Sequence, residues 1–210
     1  EEWNGRRVVK KTRLPKSYRV VSLDASIRLA RTSREANLLH DSKPAGVPTP
    51  TVYQVDTSSC TIIMEYIDGP RLKEALVHMD HAGLEATCVL VGSLIGRLHS
   101  CGIVHGDLTT SNMILRDGTK LYFIDFGLSD YSREVEARGV DLLLMSRAFK
   151  STHFALYSKA FKGVLEGYQK VVGRDNAEFA LRKMHEIETR GRYSERRQAG
   201  LLSDLKQGQV

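Results

Sequence analysis

The polar run His105-Gly106-Asp107-Leu108-Thr109-Thr110-Ser111-Asn112 is followed, across the turn signal Asp117-Gly118, by Ile124-Asp125-Phe126-Gly127. Apolar, strand-prone residues flank that turn, Met113 to Leu115 before it and Leu121 to Ile124 after it, and the spacing predicts a β-hairpin. Asn112 and Asp125 lie equally far from the Gly118-Thr119 step, so a simple hairpin sets an amide oxygen opposite a carboxylate at its open end. Two hard oxygen donors held close suit Mg²⁺, which keeps most of its waters and binds phosphate oxygens. Asp107 stands on a loop too short to carry it away from the same mouth, and three oxygen side chains converge there. Capping is the competing role for Asp107 and Asp125, whereas His105 reads as a packed histidine that braces the loop.

Outward from this segment the chain is mixed α and β. Gly5 to Lys11 reads as a short strand, and Leu23 to Leu39 as helix in two pieces. Val52 to Val55 and Thr61 to Ile67 form a hairpin about the polar turn Asp56 to Ser59, and Asp68-Gly69-Pro70 stops it. The period then changes. Leu84, Cys88, Val91, Ile95 and Leu98 fall on one helical face, with Gly102 as stop signal. Residues from about Val140 to Glu188 read as helical with Gly163, Gly167 and Gly173 as weak points, and the basic stretch from Arg190 reads as a mobile tail. The expected organisation is a sheet-rich unit over residues 1–67, a helical unit carrying the hairpin over 68–189, and the tail over 190–210.

With 210 residues, 41% hydrophobic and 27% charged, the chain has material for two small lobes sharing a cleft, and general disorder is excluded. No apolar run approaches a membrane span, so no membrane partner is expected. Three cysteines without CxxC spacing point to a reducing, cytoplasmic setting, extended to the nucleus for a eukaryotic source. The first residues, Glu1-Glu2-Trp3, lack a start methionine and suggest a chain that begins partway into its natural protein. Net charge is +6, and it is unevenly spread. Residues 1–34 hold ten Lys/Arg against three acids and residues 190–210 five against two, so a polyanion is the simplest partner for the ends.

Val8-Val9-Lys10-Lys11 offers two strand lysines for nucleotide phosphates, and Glu35 is the candidate carboxylate to hold one of them, although Thr32-Ser33-Arg34-Glu35 also fits a capping box. Met64, Glu65 and Tyr66 end the second hairpin, where backbone N–H and C=O groups could read an adenine edge. There is no G-x-x-x-x-G-K-[ST] string, which excludes a P-loop NTPase, and the histidines at 78, 81, 99 and 105 do not assemble a convincing zinc set.

His105 to Asn112 and Asp125-Phe126-Gly127 resemble, in spacing and order, the H-x-D-L-x-x-x-N and D-F-G motifs of the protein-kinase-like superfamily. Only sixteen positions separate Asp125 from Asp141, with no Ala-Pro-Glu string, so the platform on which ordinary kinases dock a peptide has little room. Lys11-Thr12-Arg13-Leu14-Pro15-Lys16-Ser17-Tyr18-Arg19, Arg31-Thr32-Ser33-Arg34-Glu35-Ala36, Gly139-Val140-Asp141-Leu142 and Arg190-Gly191-Arg192 are similar to the atypical small kinase subunits of the KEOPS/EKC complex, the PRPK family. That resemblance implies an α+β, reduced bilobal protein-kinase-like fold, with a small β-rich N-lobe missing its first strands and a compact helical C-lobe. It implies a Mg-ATP-dependent ATPase or atypical Ser/Thr kinase that supports N6-threonylcarbamoyladenosine synthesis on tRNA. Its partners would be the threonylcarbamoyl-transferase subunit, a small regulatory subunit and tRNA, the last met by Arg190, Arg192, Arg196 and Arg197. It selects Lys11 over Lys10 as the ATP lysine with Glu35 as its partner, Asp107 as catalytic base, and Asn112 and Asp125 as metal ligands. The Gly-rich loop expected before the strand lysine has no counterpart in Glu1 to Arg7. Small-molecule phosphotransferases share His-Gly-Asp-Leu and Ile-Asp-Phe-Gly but usually carry a larger C-lobe, and a non-catalytic scaffold is the third reading.

Overall fold

The computed structural model describes the backbone of residues 1–207 and the side chains of residues 1–191. Strands β1 (Glu2–Trp3) and β2 (Arg6–Thr12) open the chain as a tight hairpin in which Asn4 and Gly5 both take positive φ (49° and 70°), the pairing that suits a twisted two-residue turn. A strand thus precedes the lysine strand, which the sequence reading did not anticipate. Helix α1 (Val21–Asp41) follows, then β3 (Val52–Asp56) and β4 (Thr61–Glu65), completing an antiparallel sheet in the order β1-β2-β4-β3.

Helix α1 is continuous, where two pieces were expected. Thr32 is buried inside it and its hydroxyl donates back to the Arg28 carbonyl at 2.8 Å, so it sits mid-helix and does not cap a new start. The capping-box reading of Thr32 to Glu35 fails for the same reason. Asp24 in the first turn accepts from Arg28 Nε at 2.7 Å, an i,i+4 pair that also suits the helix dipole. At the other end Ser42 Oγ donates to the Leu38 carbonyl at 2.7 Å and closes the last turn.

The helical lobe comprises α2 (Leu72–Ala75), α3 (His81–Ser100), β5 (Ile103–Val104), β6 (Met113–Arg116), β7 (Lys120–Phe123), β8 (Asp130–Tyr131), α4 (Val135–Thr152), α5 (Tyr157–Val172) and α6 (Arg174–Gln207). Asp80 caps α3, accepting from the Gly83 N–H at 2.8 Å. All five residues of the anticipated α3 stripe are in the core, where complete burial of a large aliphatic side chain stabilises by about 1.5–3 kcal/mol. On the adjoining face α3 meets α5, where Gly92 of α3 and Gly167 of α5 let the two backbones approach closely. An added Cβ at Gly92 would lie 1.8 Å from the Val164 carbonyl oxygen, and one at Gly167 would lie 1.9 Å from that of Val89. Gly167 is therefore a packing contact inside a helix and not a weak point, as is Gly163, which faces Cys88. Helix α6 passes through Arg190 without interruption, so the backbone there is helical and not a loose tail.

The hairpin predicted around Asp117-Gly118 forms, with its register shifted by one from the expected one. Met113 pairs with Phe123 and Ile114 with Tyr122, and the Ile124 N–H donates to the Asn112 carbonyl at 3.0 Å, so Asn112 faces Ile124 and Asp125 lies one residue beyond. The cause is the turn: Asp117 and Gly118 both take positive φ (52° and 69°), and Thr119 N donates to Arg116 O, making a three-residue connection.

Candidate active site

Lys11 and Arg13 are two apart on a strand and project from the same face, toward α1. Glu35, 1% exposed, receives both: Lys11 Nζ at 2.7 Å from Oε1, and Arg13 on Oε2. Lys11 Nζ also reaches Asp125 Oδ1 at 2.6 Å, so one ammonium joins the sheet lobe, α1 and the helical lobe. Lys10 is exposed, stands outside this ion-pair cluster and lines only the neighbouring cavity. Burial pushes the Asp125 carboxyl up, but the hydrogen bond and charge of Lys11, with the Gly127 N–H at 3.2 Å, outweigh it and hold the group below the usual carboxylate range. Asp125 has φ 61°, unusual for a side-chain-bearing residue, and this bend turns its carboxylate toward Lys11.

Asn112 donates its amide nitrogen to the Asp107 carboxylate and to the Asp107 carbonyl, both at 2.9 Å. The loop holding Asp107 rests on Asp141 of α4, whose carboxylate accepts from the N–H groups of His105 (2.6 Å) and Gly106 (2.8 Å). His99 Nε2 lies 3.2 Å from the same carboxylate, and its Nδ1 lies 3.0 Å from the Tyr168 hydroxyl. Gly106 has φ 74°, and a Cβ there would stand 2.3 Å from the Leu128 carbonyl oxygen, so only glycine fits. His105 is buried between Phe126 and Phe123, with Nε2 3.2 Å from the Ile124 carbonyl, and acts as a brace.

Two cavities meet at Lys11 and Asp125. The first, about 480 Å³, lies under the sheet and is lined by Val9, Met64, Glu65, Tyr66, Ile114 and Ile124 among others. Its apolar walls suit a flat heterocycle. Of the backbone groups expected to read the edge of that heterocycle, two N–H groups are already engaged, Glu65 N–H donating to Thr51 O at 2.8 Å and Tyr66 N–H to Arg7 O at 3.4 Å. The second, about 420 Å³, opens on the far side and includes Asp107 in its wall.

The oxygen donors fit a divalent ion that arrives with a phosphate. Asn112 commits its amide nitrogen to Asp107 and keeps its amide oxygen, while Asp125 commits Oδ1 to Lys11 and keeps Oδ2. Among the described residues there is no group of three His, Cys, Asp or Glu able to hold a metal alone. A sparse two-oxygen set completed by water and phosphate is the arrangement Mg²⁺ adopts with nucleotides.

Of the residues expected from sequence, the structure gathers Lys11, Glu35 and Asp125 into one cluster and Asp107 with Asn112 into another beside it. Met64, Glu65 and Tyr66 line the neighbouring cavity. Arg190 is remote from both: its guanidinium lies 3.5 Å from Glu136 and 3.4 Å from Glu186. The side chains of Arg192, Arg196 and Arg197 lie outside the described residues. Arg13 and Asp141 appear in the strings quoted from the sequence but receive no role in the site there. The spacing of Arg13 from Lys11 was a usable signal, and Asp141 was an acid isolated in an otherwise apolar helical run.

A sheet lobe and a helical lobe joined by a lysine–carboxylate relay, with an Asp–Asn pair at the mouth of a hairpin, define a kinase-like fold of the phosphotransferase type. The RIO domain family matches residues 5–151. The chain belongs to the RIO-domain family. It is 49% identical over 190 residues to the KEOPS complex subunit Bud32 of Pyrococcus abyssi, covering 90% of this chain and 86% of that protein. It is 42% identical over 194 residues to a probable bifunctional tRNA threonylcarbamoyladenosine biosynthesis protein of Methanothermobacter thermautotrophicus, covering 92% of this chain and 34% of that protein. The chain thus spans about a third of the length of this bifunctional relative. Among solved structures, the Cydia pomonella granulovirus kinase PK-1 aligns with a TM-score of 0.40 at 19% identity, covering 60% of this chain and 44% of that one.

Proposed function

We propose that this chain is the Mg-ATP-dependent ATPase or Ser/Thr kinase subunit of a KEOPS-type complex and supports threonylcarbamoyladenosine formation on tRNA. The observation that carries the reading is the Lys11 ammonium held between Glu35 and Asp125, with Asp107 and Asn112 alongside. In this proposal Lys11, fixed by Glu35, meets the nucleotide phosphates, and Asp125 with Asn112 holds the Mg²⁺ that accompanies them. Asp107 orients water or a hydroxyl and takes up its proton during attack on the terminal phosphoryl group. The adenine ring enters the cavity under the sheet between Val9, Met64 and Ile114. Residues 1–67 then act as the nucleotide-holding lobe and 68–189 as the lobe that supplies the catalytic groups. The names of the relatives support a place in a KEOPS-type complex that acts on tRNA, and the partners in this reading are a threonylcarbamoyl-transferase subunit, a small regulatory subunit and tRNA, with Arg190, Arg192, Arg196 and Arg197 contributing charge toward RNA.

Asp125→Ala is expected to lower ATP turnover about a hundredfold or more, in the range seen when one group that stabilises developing charge is removed, while leaving circular dichroism unchanged. Undiminished turnover would overturn the assignment. Asp107→Ala in the reconstituted complex separates catalysis from scaffolding: loss of tRNA modification with intact assembly supports the catalytic reading, and retained modification supports a scaffold.

A further inference from the structure

The second cavity is a cationic basin. Lys11, Arg13, Lys16, Arg19, Arg28 and Arg31 line it, against the carboxylates of Asp107 and Asp125. Buried Glu35 holds Lys11 and Arg13, buried Asp24 holds Arg28 and, at 3.4 Å, Arg19, and after all four acids are set against the six cations, two positive charges remain. The excess lies toward the wall farther from the nucleotide cavity, since Lys16, Arg19 and Arg28 line only the second cavity whereas Lys11 lines both. At its rim Tyr18 is 74% exposed, and its ring carries Lys16 on one contact (5.8 Å) and Arg19 on another (5.5 Å). Leu14 and Val20 beside it are likewise exposed.

Four of the six cations are arginines, whose planar forks match phosphate oxygens, and an exposed tyrosine flanked by cations is a platform on which a base can stack. The geometry points to this basin, at the threshold of Asp107, as a binding site for RNA: the phosphodiester backbone lies along the Lys16, Arg19 and Arg31 wall and an unpaired base stacks on Tyr18. The inference rests on the proposed role in tRNA modification and places the RNA at the acceptor side of the active site, in the loop between β2 and α1, and not at the C-terminal basic stretch alone. An acidic protein segment would use the same charges but would gain less from an exposed aromatic ring.

The test uses the full chain and an unmodified tRNA transcript, with binding followed by fluorescence anisotropy across a series of salt concentrations. The double variant Lys16→Ala, Arg19→Ala is expected to flatten the slope of log affinity against log salt by roughly one and a half units, the share of two lost phosphate contacts. Tyr18→Ala is expected to weaken binding about tenfold with the slope preserved, because stacking releases no counterions. An unchanged slope in the double variant, or undiminished affinity in Tyr18→Ala, places the RNA elsewhere and overturns the inference. Poly-L-glutamate bound with the same sensitivity to these variants while tRNA binding is unaffected assigns the basin to an acidic protein segment and overturns it too. ATP turnover measured on the same variants without RNA keeps the two proposals apart: it should stay at the wild-type level, whereas failure of the nucleotide reading appears in Asp125→Ala.

Discussion

His105 lies beneath the loop that carries Asp107, with its ring 4.8 Å from that of Phe126, and burial holds its imidazole below the ordinary value even though Asp141 and Asp107 pull the other way. In the unfolded chain an imidazole titrates near 6.5. Below that pH the unfolded chain binds a proton that the native protein refuses, so the contribution is complete above pH 6.5 and is lost progressively on acidification. His153, also shifted down by burial, adds in the same direction. Unfolding free energies from urea titrations between pH 7.5 and 5.5 should therefore fall with acidity, by up to about 1.4 kcal/mol per pH unit for each proton involved. His105→Phe should remove one proton's share of that slope, and an unaltered slope would show that His105 is protonated in place. At this scale most of the site was legible, because Lys11, Asp107, Asn112 and Asp125 belong to short strings whose spacing has a geometric meaning. Arg13 and Asp141 escaped because their partners are distant in sequence: Arg13 shares Glu35 across 22 residues, and Asp141 supports His105 across 36.

Elements meet here through small residues as much as through large ones. Helices α3 and α5 approach until Gly92 and Gly167 touch the opposite backbone, and a methyl group at either would have to push a carbonyl aside. Gly167→Ala should therefore destabilise the protein by about 3 kcal/mol, at the upper end of the usual overpacking range, seen as a fall in melting temperature of roughly 6–12 °C for a chain of this size. Gly163→Ala is the contrast. Its added Cβ would sit 3.0 Å from the Cys88 Cβ, so a shift of a few tenths of an ångström suffices where Gly167 needs more than one, and the gain in helix propensity offsets part of the strain, so a change under about 1 kcal/mol is expected. Equal effects from the two would remove the close-contact explanation. Sequence periodicity identified the buried face of α3 but presented Gly163 and Gly167 as helix breakers, since propensity is local and the partner helix is not. The hairpin register slipped for a related reason: Asp117-Gly118 announced a turn but not that Thr119 would join it.

The two lobes are clasped along one side. Arg31 donates to the Gly127 carbonyl at 2.8 Å, Arg34 lies 3.2 Å from Asp130, and the Tyr131 hydroxyl reaches Asp41 at 2.6 Å, so α1 is fastened to the segment that follows Asp125. Lys11 adds a further bond, and it crosses the cleft where a nucleotide would lie. A triphosphate entering there competes with Asp125 for Lys11 and brings negative charge against Asp125 and Asp107, which a divalent ion must offset. Ligand bound between the lobes stabilises the entire molecule: ATP with Mg²⁺ at about one hundred times its dissociation constant should add about 2.7 kcal/mol. For a chain of this size that corresponds to a rise of roughly 5–11 °C in melting temperature. With EDTA in place of Mg²⁺ at the same ATP concentration the rise should shrink to a small fraction. Asp125→Asn, which removes the charge but keeps the shape, should narrow the difference between the two conditions from both sides. The metal-bound shift falls because a ligand is lost, and the metal-free shift grows because a repulsion is lost. Equal shifts with and without Mg²⁺ in the wild-type protein would mean that Asp125 and Asn112 hold no ion beside the phosphates, and that the Lys11 relay serves the closure of the lobes alone.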